Sequence, residues 1–144
     1  MENIDRFGRE ITYLRISVTD RCNLRCLYCQ PRRPVPRLSP EQILSYEEIV
    51  QVVKTALGLG FRKFRLTGGE PLVRRGLIYL VEALGRLDLP DLSMTTNGIL
   101  LAGYAQDLKE AGLQRVNISL DTLQPHRFRQ ITGYDEFGEA LRGI

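Results

Sequence analysis

Four short strand-like runs, each followed by a loop and then an amphipathic helix, restrict the folds open to this chain more than any other feature. The runs are Ile11 to Thr19 (ITYLRISVT), Lys63 to Thr67 (KFRLT), Leu92 to Thr96 (LSMTT) and Arg115 to Leu120 (RVNISL). After the first, Ser45 with Glu48 forms a capping box. Ile49, Val52, Val53, Ala56 and Leu57 then recur at the spacing of one helix face, and Leu59-Gly60 ends the helix. A second helix buries Leu77, Leu80, Val81 and Leu84, a third runs near Tyr104 to Ala111, and a last one begins after Pro125. Strands alternating with helices predict right-handed βαβ units around a parallel sheet. Only the segment QPRRPVPR, with three prolines, is barred from regular structure. No low-complexity stretch or linker divides the chain, so residues 1–144 are expected to form a single domain.

The strand runs carry a second constraint. Side chains alternate between the two faces of a strand. Leu14, Ile16 and Val18 therefore oppose Arg15, Ser17 and Thr19; Phe64 and Leu66 oppose Arg65 and Thr67. Leu92 and Met94 likewise oppose Ser93 and Thr95, and Val116, Ile118 and Leu120 oppose Asn117 and Ser119. A parallel sheet covered on both faces should read as nearly continuous apolar runs. Here one face is built to receive helices, and the other is polar and holds two arginines. Curling the sheet toward a barrel would place the polar face inside, with the loops at the C-terminal strand ends forming the site. A flat sheet with one solvated face is the simpler alternative.

One of those loops, DRCNLRCLYC, holds all three cysteines of the chain: Cys22, Cys26 and Cys29, spaced C-x3-C-x2-C. An odd number of thiols in a chain whose N-terminus, MENIDRFGRE, has no apolar signal core argues for reduced, ligand-binding cysteines in the cytoplasm. No run approaches the length of a membrane span. Structural zinc wants four ligands, and the remaining candidate, His126, is distant in sequence. Three thiols suit an iron–sulfur cube with one iron left open. Buried structural cysteines, a zinc site completed by a partner, and a redox thiol pair remain as alternatives. Arg21 and Arg25 flank the cysteines and are expected to lower thiol pKa. A net charge of +3, mostly from arginine, admits an anionic ligand but is too modest for phosphate-dominated nucleic-acid binding.

TGGEP, Thr67 to Pro71, follows the second run. By itself it reads as a T-x-x-E cap with proline in the first turn. Following CNLRCLYC, it resembles the GGE motif of the radical S-adenosylmethionine enzymes, and the cysteine loop resembles that family's C-x3-C-x-Φ-C signature, with Tyr28 as the aromatic residue. The resemblance implies a partial (β/α) barrel with about four βα units of a six-strand parallel barrel. It also implies a 4Fe-4S cluster on Cys22, Cys26 and Cys29 whose open iron is chelated by S-adenosylmethionine, and reductive cleavage of that cofactor to a 5′-deoxyadenosyl radical. Tyr28, Gly68, Gly69, Glu70 and Ser119 match cofactor-binding positions.

The series DRFGREITYLRISVTDRCNLRCLYC, FRLTGGEP, TTNGILL and VNISLDTLQPHRFRQITG is similar to the N-terminal half of the GTP-cyclising members of molybdenum cofactor biosynthesis. That similarity implies GTP as substrate, with Arg15, Arg65 and Thr95 at substrate-binding positions, all three already on the polar face by parity. It further implies a one-electron donor such as flavodoxin or ferredoxin, cyclic pyranopterin monophosphate synthase as the pathway partner, and a possible homodimer, with no membrane and no nucleic acid. The longer family members carry a second cysteine triplet. This chain has no fourth cysteine and is expected to be truncated within its fourth helix, and its loop after Cys29 reads QPRR where the family places an acidic residue after the proline.

Overall fold

The computed structural model describes residues 3–29 and 36–144; most of QPRRPVPR lies outside that range. β1 (Tyr13–Ser17), β2 (Lys63–Thr67), β3 (Asp91–Thr96) and β4 (Arg115–Ile118) form one parallel sheet in the order β1-β2-β3-β4. α1 (Tyr46–Gly58), α2 (Leu77–Gly85) and α3 (Leu101–Glu110) connect them, and α4 (Pro125–Thr132) and α5 (Phe137–Arg142) follow β4. The architecture is the expected partial α/β barrel. The single last helix that the sequence predicts is two, because Gly133 takes φ +78° and caps α4, so the chain's final residues belong to α5.

The capping box of α1 forms as expected: Ser45 Oγ accepts from the Glu48 N–H (3.1 Å), and the Ser45 N–H donates to Glu48 Oε2 (2.7 Å). Ile49, Val53 and Ala56 are buried, but Val52, assigned to the same face, is exposed at the margin of that stripe. Together with Leu80, Val81 and Leu84 of α2 and Leu108 of α3, they pack on Ile16, Phe64, Leu66, Leu92 and Met94. Removing each of these larger side chains, Ala56 excepted, from water contributes about 1.5–3 kcal/mol, so this layer is the main source of stability.

The opposite face stays polar. Arg15, Ser17, Asn117 and Ser119 are exposed, and Arg65, Thr67 and Thr95 are half-buried. Two members depart from this pattern. Ser93 is buried because its hydroxyl donates to the Phe64 carbonyl (3.3 Å) and accepts from Arg65 Nε (3.2 Å); Thr19 is buried where the strand enters the cysteine loop. On the helix face, Val116 is exposed. Among the described residues β4 is an edge strand bonded to β3 alone, and α4 and α5 pack around Leu24 rather than over Val116.

Candidate functional site

The β1–β2 ladder does not stop at the ends of its strands. The Val18 N–H donates to the Thr67 carbonyl, the Gly69 N–H to Thr19, and the Glu70 N–H to Arg21, each at 2.8 Å. The glycine loop and the start of the cysteine loop therefore continue the sheet side by side, and Cys22 emerges directly beside Glu70. This approach leaves no room for a side chain at the two glycines. A Cβ on Gly69 would lie 2.1 Å from the Arg21 carbonyl oxygen, and one on Gly68, whose φ is +149°, would lie 2.5 Å from that of Thr19. The need for glycine here comes first from the approach of loop to loop.

Glu70 is 1% exposed. Its carboxylate accepts from the Leu72 N–H (3.1 Å), the Thr96 hydroxyl (2.8 Å) and the Asn97 N–H (2.7 Å). Burial pushes its pKa up, and those three donors partly offset the rise. Glu70 itself, rather than Thr67, caps the single turn Pro71–Val73. The Glu70 backbone is engaged as well: its N–H donates to Arg21 and its carbonyl accepts from the Val73 N–H (3.2 Å).

The far side of the cysteine loop rests on the last two helices. Leu24 is buried against Phe128 and Ala140, and the rings of Phe128 and Phe137 meet edge to face at 5.7 Å. The Arg25 and Leu27 N–H groups donate to the carbonyls of Thr132 and Ile131, each at 2.9 Å, pairing acceptors that the end of α4 would otherwise leave open. Tyr28 is exposed, and its hydroxyl donates to Asp121 Oδ2 (2.7 Å), joining the loop to the segment after β4 and raising the Tyr28 pKa. Sequence reasoning alone misses Leu24, Asn97 and Asp121. The Asn-Gly turn signal at Asn97-Gly98 is a hint that sequence does carry.

Cys22 and Cys26 are half-buried and Cys29 is exposed; all three are free thiols. Burial pushes the Cys22 and Cys26 thiols up, so the expected lowering by arginine is not what governs them. The reason is geometric: Arg21 and Arg25 are exposed to water, which screens their charge. Donors do reach Cys22 Sγ: the Leu24 N–H lies at 3.4 Å and the Asn97 amide nitrogen at 4.0 Å. Among the described residues, no three acidic, histidine or cysteine side chains converge on a single-ion site. Three free thiols on one loop are the donor set that a four-iron cluster uses, in which each thiolate binds a different iron.

Counting on from the strand register, Thr19, Gly69, Asn97 and Ser119 fall level along the C-terminal rim, and the Ser119 N–H donates to the Thr96 carbonyl (2.8 Å). Below them on the polar face, Arg15 and Arg65 are register partners. Arg65 also stacks on Tyr13 at 5.4 Å, and Thr95 pairs with Asn117. The structure thus places the three cysteines, Gly68, Gly69, Glu70 and Ser119 at one rim, and Arg15, Arg65 and Thr95 on the adjoining face. A groove of about 560 Å³ lined by Pro125, His126, Arg129, Gln130 and Asp135 shares no residue with either set.

A half-barrel whose cysteine loop is paired to a glycine loop is the arrangement of the Radical SAM superfamily, and the chain belongs to it: residues 16–144 match that family. Members of the family work with a 4Fe-4S cluster and S-adenosylmethionine. The chain is 53% identical over 142 residues to a protein of Petrotoga mobilis named GTP 3′,8-cyclase, covering 98% of this chain and 44% of that one. The GTP 3′,8-cyclase of Geobacter sulfurreducens is 50% identical over 145 residues, covering 100% and 44%. The chain therefore spans under half the length of these relatives. Among solved structures, Streptococcus suis SuiB bound to its precursor peptide SuiA superposes with a TM-score of 0.70 at 20% identity, over 85% of this chain and 27% of that one. BtrN in complex with AdoMet and 2-DOIA gives 0.60 at 22% identity, over 85% and 51%. These two likenesses concern the fold.

Proposed function

We propose that the chain provides the radical-generating part of a GTP 3′,8-cyclase, which converts GTP to (8S)-3′,8-cyclo-7,8-dihydroguanosine 5′-triphosphate. The observation that carries this reading is the cysteine loop, clamped by the strand ladder against the glycine loop at the rim of a polar face bearing Arg15 and Arg65. Cys22, Cys26 and Cys29 would hold the 4Fe-4S cluster. When bound, cluster and S-adenosylmethionine together would supply the 5′-deoxyadenosyl radical that takes hydrogen from the ribose.

The protein's own part is placement. The backbone of Gly68, Gly69 and Glu70 and the Ser119 hydroxyl line the rim where the cofactor would rest, with Tyr28 beside the third cysteine. Arg15 and Arg65 offer planar, always-charged donors to the oxygens or the guanine edge of GTP, and Thr95 adds a hydroxyl on the same face. This reading extends to a flavodoxin- or ferredoxin-type electron donor, cyclic pyranopterin monophosphate synthase as pathway partner, a homodimer and a cytoplasmic location. Among the described residues, no helix is long and apolar enough to cross a membrane.

The test is anaerobic reconstitution with iron and sulfide, reduction, and incubation with S-adenosylmethionine and GTP, with products identified by mass spectrometry. Formation of 5′-deoxyadenosine together with the cyclised triphosphate supports the proposal. Formation of 5′-deoxyadenosine that is indifferent to GTP, with a cluster present, overturns the GTP assignment and leaves another radical reaction in its place.

A further inference from the structure

Asn97 stands where β3 leaves the sheet, between the two loops that build the site. Its N–H donates to Glu70 Oε2 (2.7 Å), its Oδ1 accepts from the Ile99 N–H (3.1 Å), and its amide nitrogen donates to Asn23 Oδ1 (2.7 Å) while lying 4.0 Å from Cys22 Sγ. Glu70 in turn gives its own N–H to the Arg21 carbonyl (2.8 Å). These bonds close a ring running from Arg21 to Glu70 to Asn97 to Asn23, and Cys22 is the residue between Arg21 and Asn23.

We propose that Asn97 is a positioning residue that fixes the first cysteine against the glycine loop and offers an amide N–H to the Cys22 sulfur. The proposal rests on the reading of Cys22, Cys26 and Cys29 as cluster ligands. A primary amide has two donor hydrogens. One is taken by Asn23, and the other is free to point toward the thiolate. A hydrogen bond to a cluster sulfur favours the reduced, more negative state and so raises the reduction potential. The side chain is matched to its place. Aspartate would keep the acceptor for Ile99 but set a carboxylate against Asn23 Oδ1 and the sulfur, and alanine would lose every side-chain bond. The partners outside the metal's own ligands also govern how firmly it is held.

The test uses the 144-residue chain with Asn97→Asp, Asn97→Ala and Asn23→Ala. Three quantities are read: iron and sulfide retained under chelator challenge, the cluster midpoint potential followed by electron paramagnetic resonance, and the alkylation rate of Cys22 in the metal-free chain, with Cys29 as internal reference. Both Asn97 variants are expected to lower iron affinity by about tenfold. They should also move the potential in the negative direction and slow alkylation of Cys22 relative to Cys29, because the thiolate loses a donor. Asn23→Ala combined with Asn97→Ala should add little to iron loss beyond either alone. Asn97→Asp keeps the Ile99 bond, so it decides the matter if the alanine variant unfolds. Wild-type retention, potential and alkylation in the Asn97 variants would overturn the proposal. If the unmodified chain takes up no cluster, the cluster reading falls, and the alkylation rates alone decide for or against the Asn97 ring.

Discussion

Replacing Gly69 with alanine tests how the two loops of the site are held together. The new methyl carbon would lie 2.1 Å from the Arg21 carbonyl oxygen, 2.5 Å from its carbon and 3.1 Å from the Cys22 nitrogen. Ordinary contact begins near 3.4 Å, so the loops must part by more than an ångström. A shift of that size breaks the 2.8 Å bonds from Gly69 to Thr19 and from Glu70 to Arg21. At about 0.5–1.5 kcal/mol of net contribution each, their loss destabilises the chain by about 1–3 kcal/mol. For a domain of this size that lowers the melting temperature by roughly 3–10 °C. The fold should survive, since a domain's total stability is about 5–15 kcal/mol. Iron retention should fall more sharply than stability, because Cys22 directly follows the displaced carbonyl. Gly103→Ala serves as the control. Its Cβ meets nothing within 4 Å in α3, so it should stabilise the chain by about 0.5–1 kcal/mol. Thermal melts followed by circular dichroism and iron assays after gel filtration supply both readouts. A Gly69→Ala chain that melts with the wild type and keeps its iron would refute the loop-to-loop argument.

Other perturbations follow from the same geometry. Phe128→Ala should cost about 3–5 kcal/mol through the cavity it opens beneath Leu24. It should also expose the cysteine loop to limited proteolysis near residue 25, and unchanged cleavage would argue against that support. Glu70 has a raised pKa, so in the metal-free chain it binds its proton more tightly folded than unfolded. Its contribution to stability is thus fully present below the ordinary value of 4.5 and is lost as pH rises through the raised one. Denaturant titrations across that window should show a downward slope that Glu70→Gln removes, and an identical slope in the variant would sink the claim. Arg65→Met should weaken GTP binding by about tenfold or more through loss of a charge-assisted bond. Calorimetry on the reconstituted chain measures this, and unaltered affinity would remove Arg65 from the substrate face.

Much of this was legible in the sequence because alternation and helical spacing depend on short-range pattern. The four strands and the polar face follow from parity, and the Ser45–Glu48 box marks the start of α1. The misses share a physical origin: they depend on what lies across space. Val116 reads as a core residue until β4 proves to be an edge. Arg21 and Arg25 are neighbours of the thiols in sequence, yet burial governs the thiols, because the arginine side chains reach into water. Glycine in TGGEP could be recognised as necessary, but the carbonyls of Thr19 and Arg21 that make it so became visible only when the loops were brought together. Asn97 and Asp121 carried no chemistry by spacing alone. Their roles come from partners 74 and 93 residues away along the chain.

The central claim is that Cys22, Cys26 and Cys29 hold a four-iron cluster with one iron open to S-adenosylmethionine. Its most direct test is electron paramagnetic resonance of the reconstituted, dithionite-reduced chain before and after the cofactor is added. The account predicts a reduced-cluster signal that shifts on addition of S-adenosylmethionine and is absent when any one of the three cysteines is replaced by serine. A signal indifferent to the cofactor, or one that persists without Cys26, would contradict it.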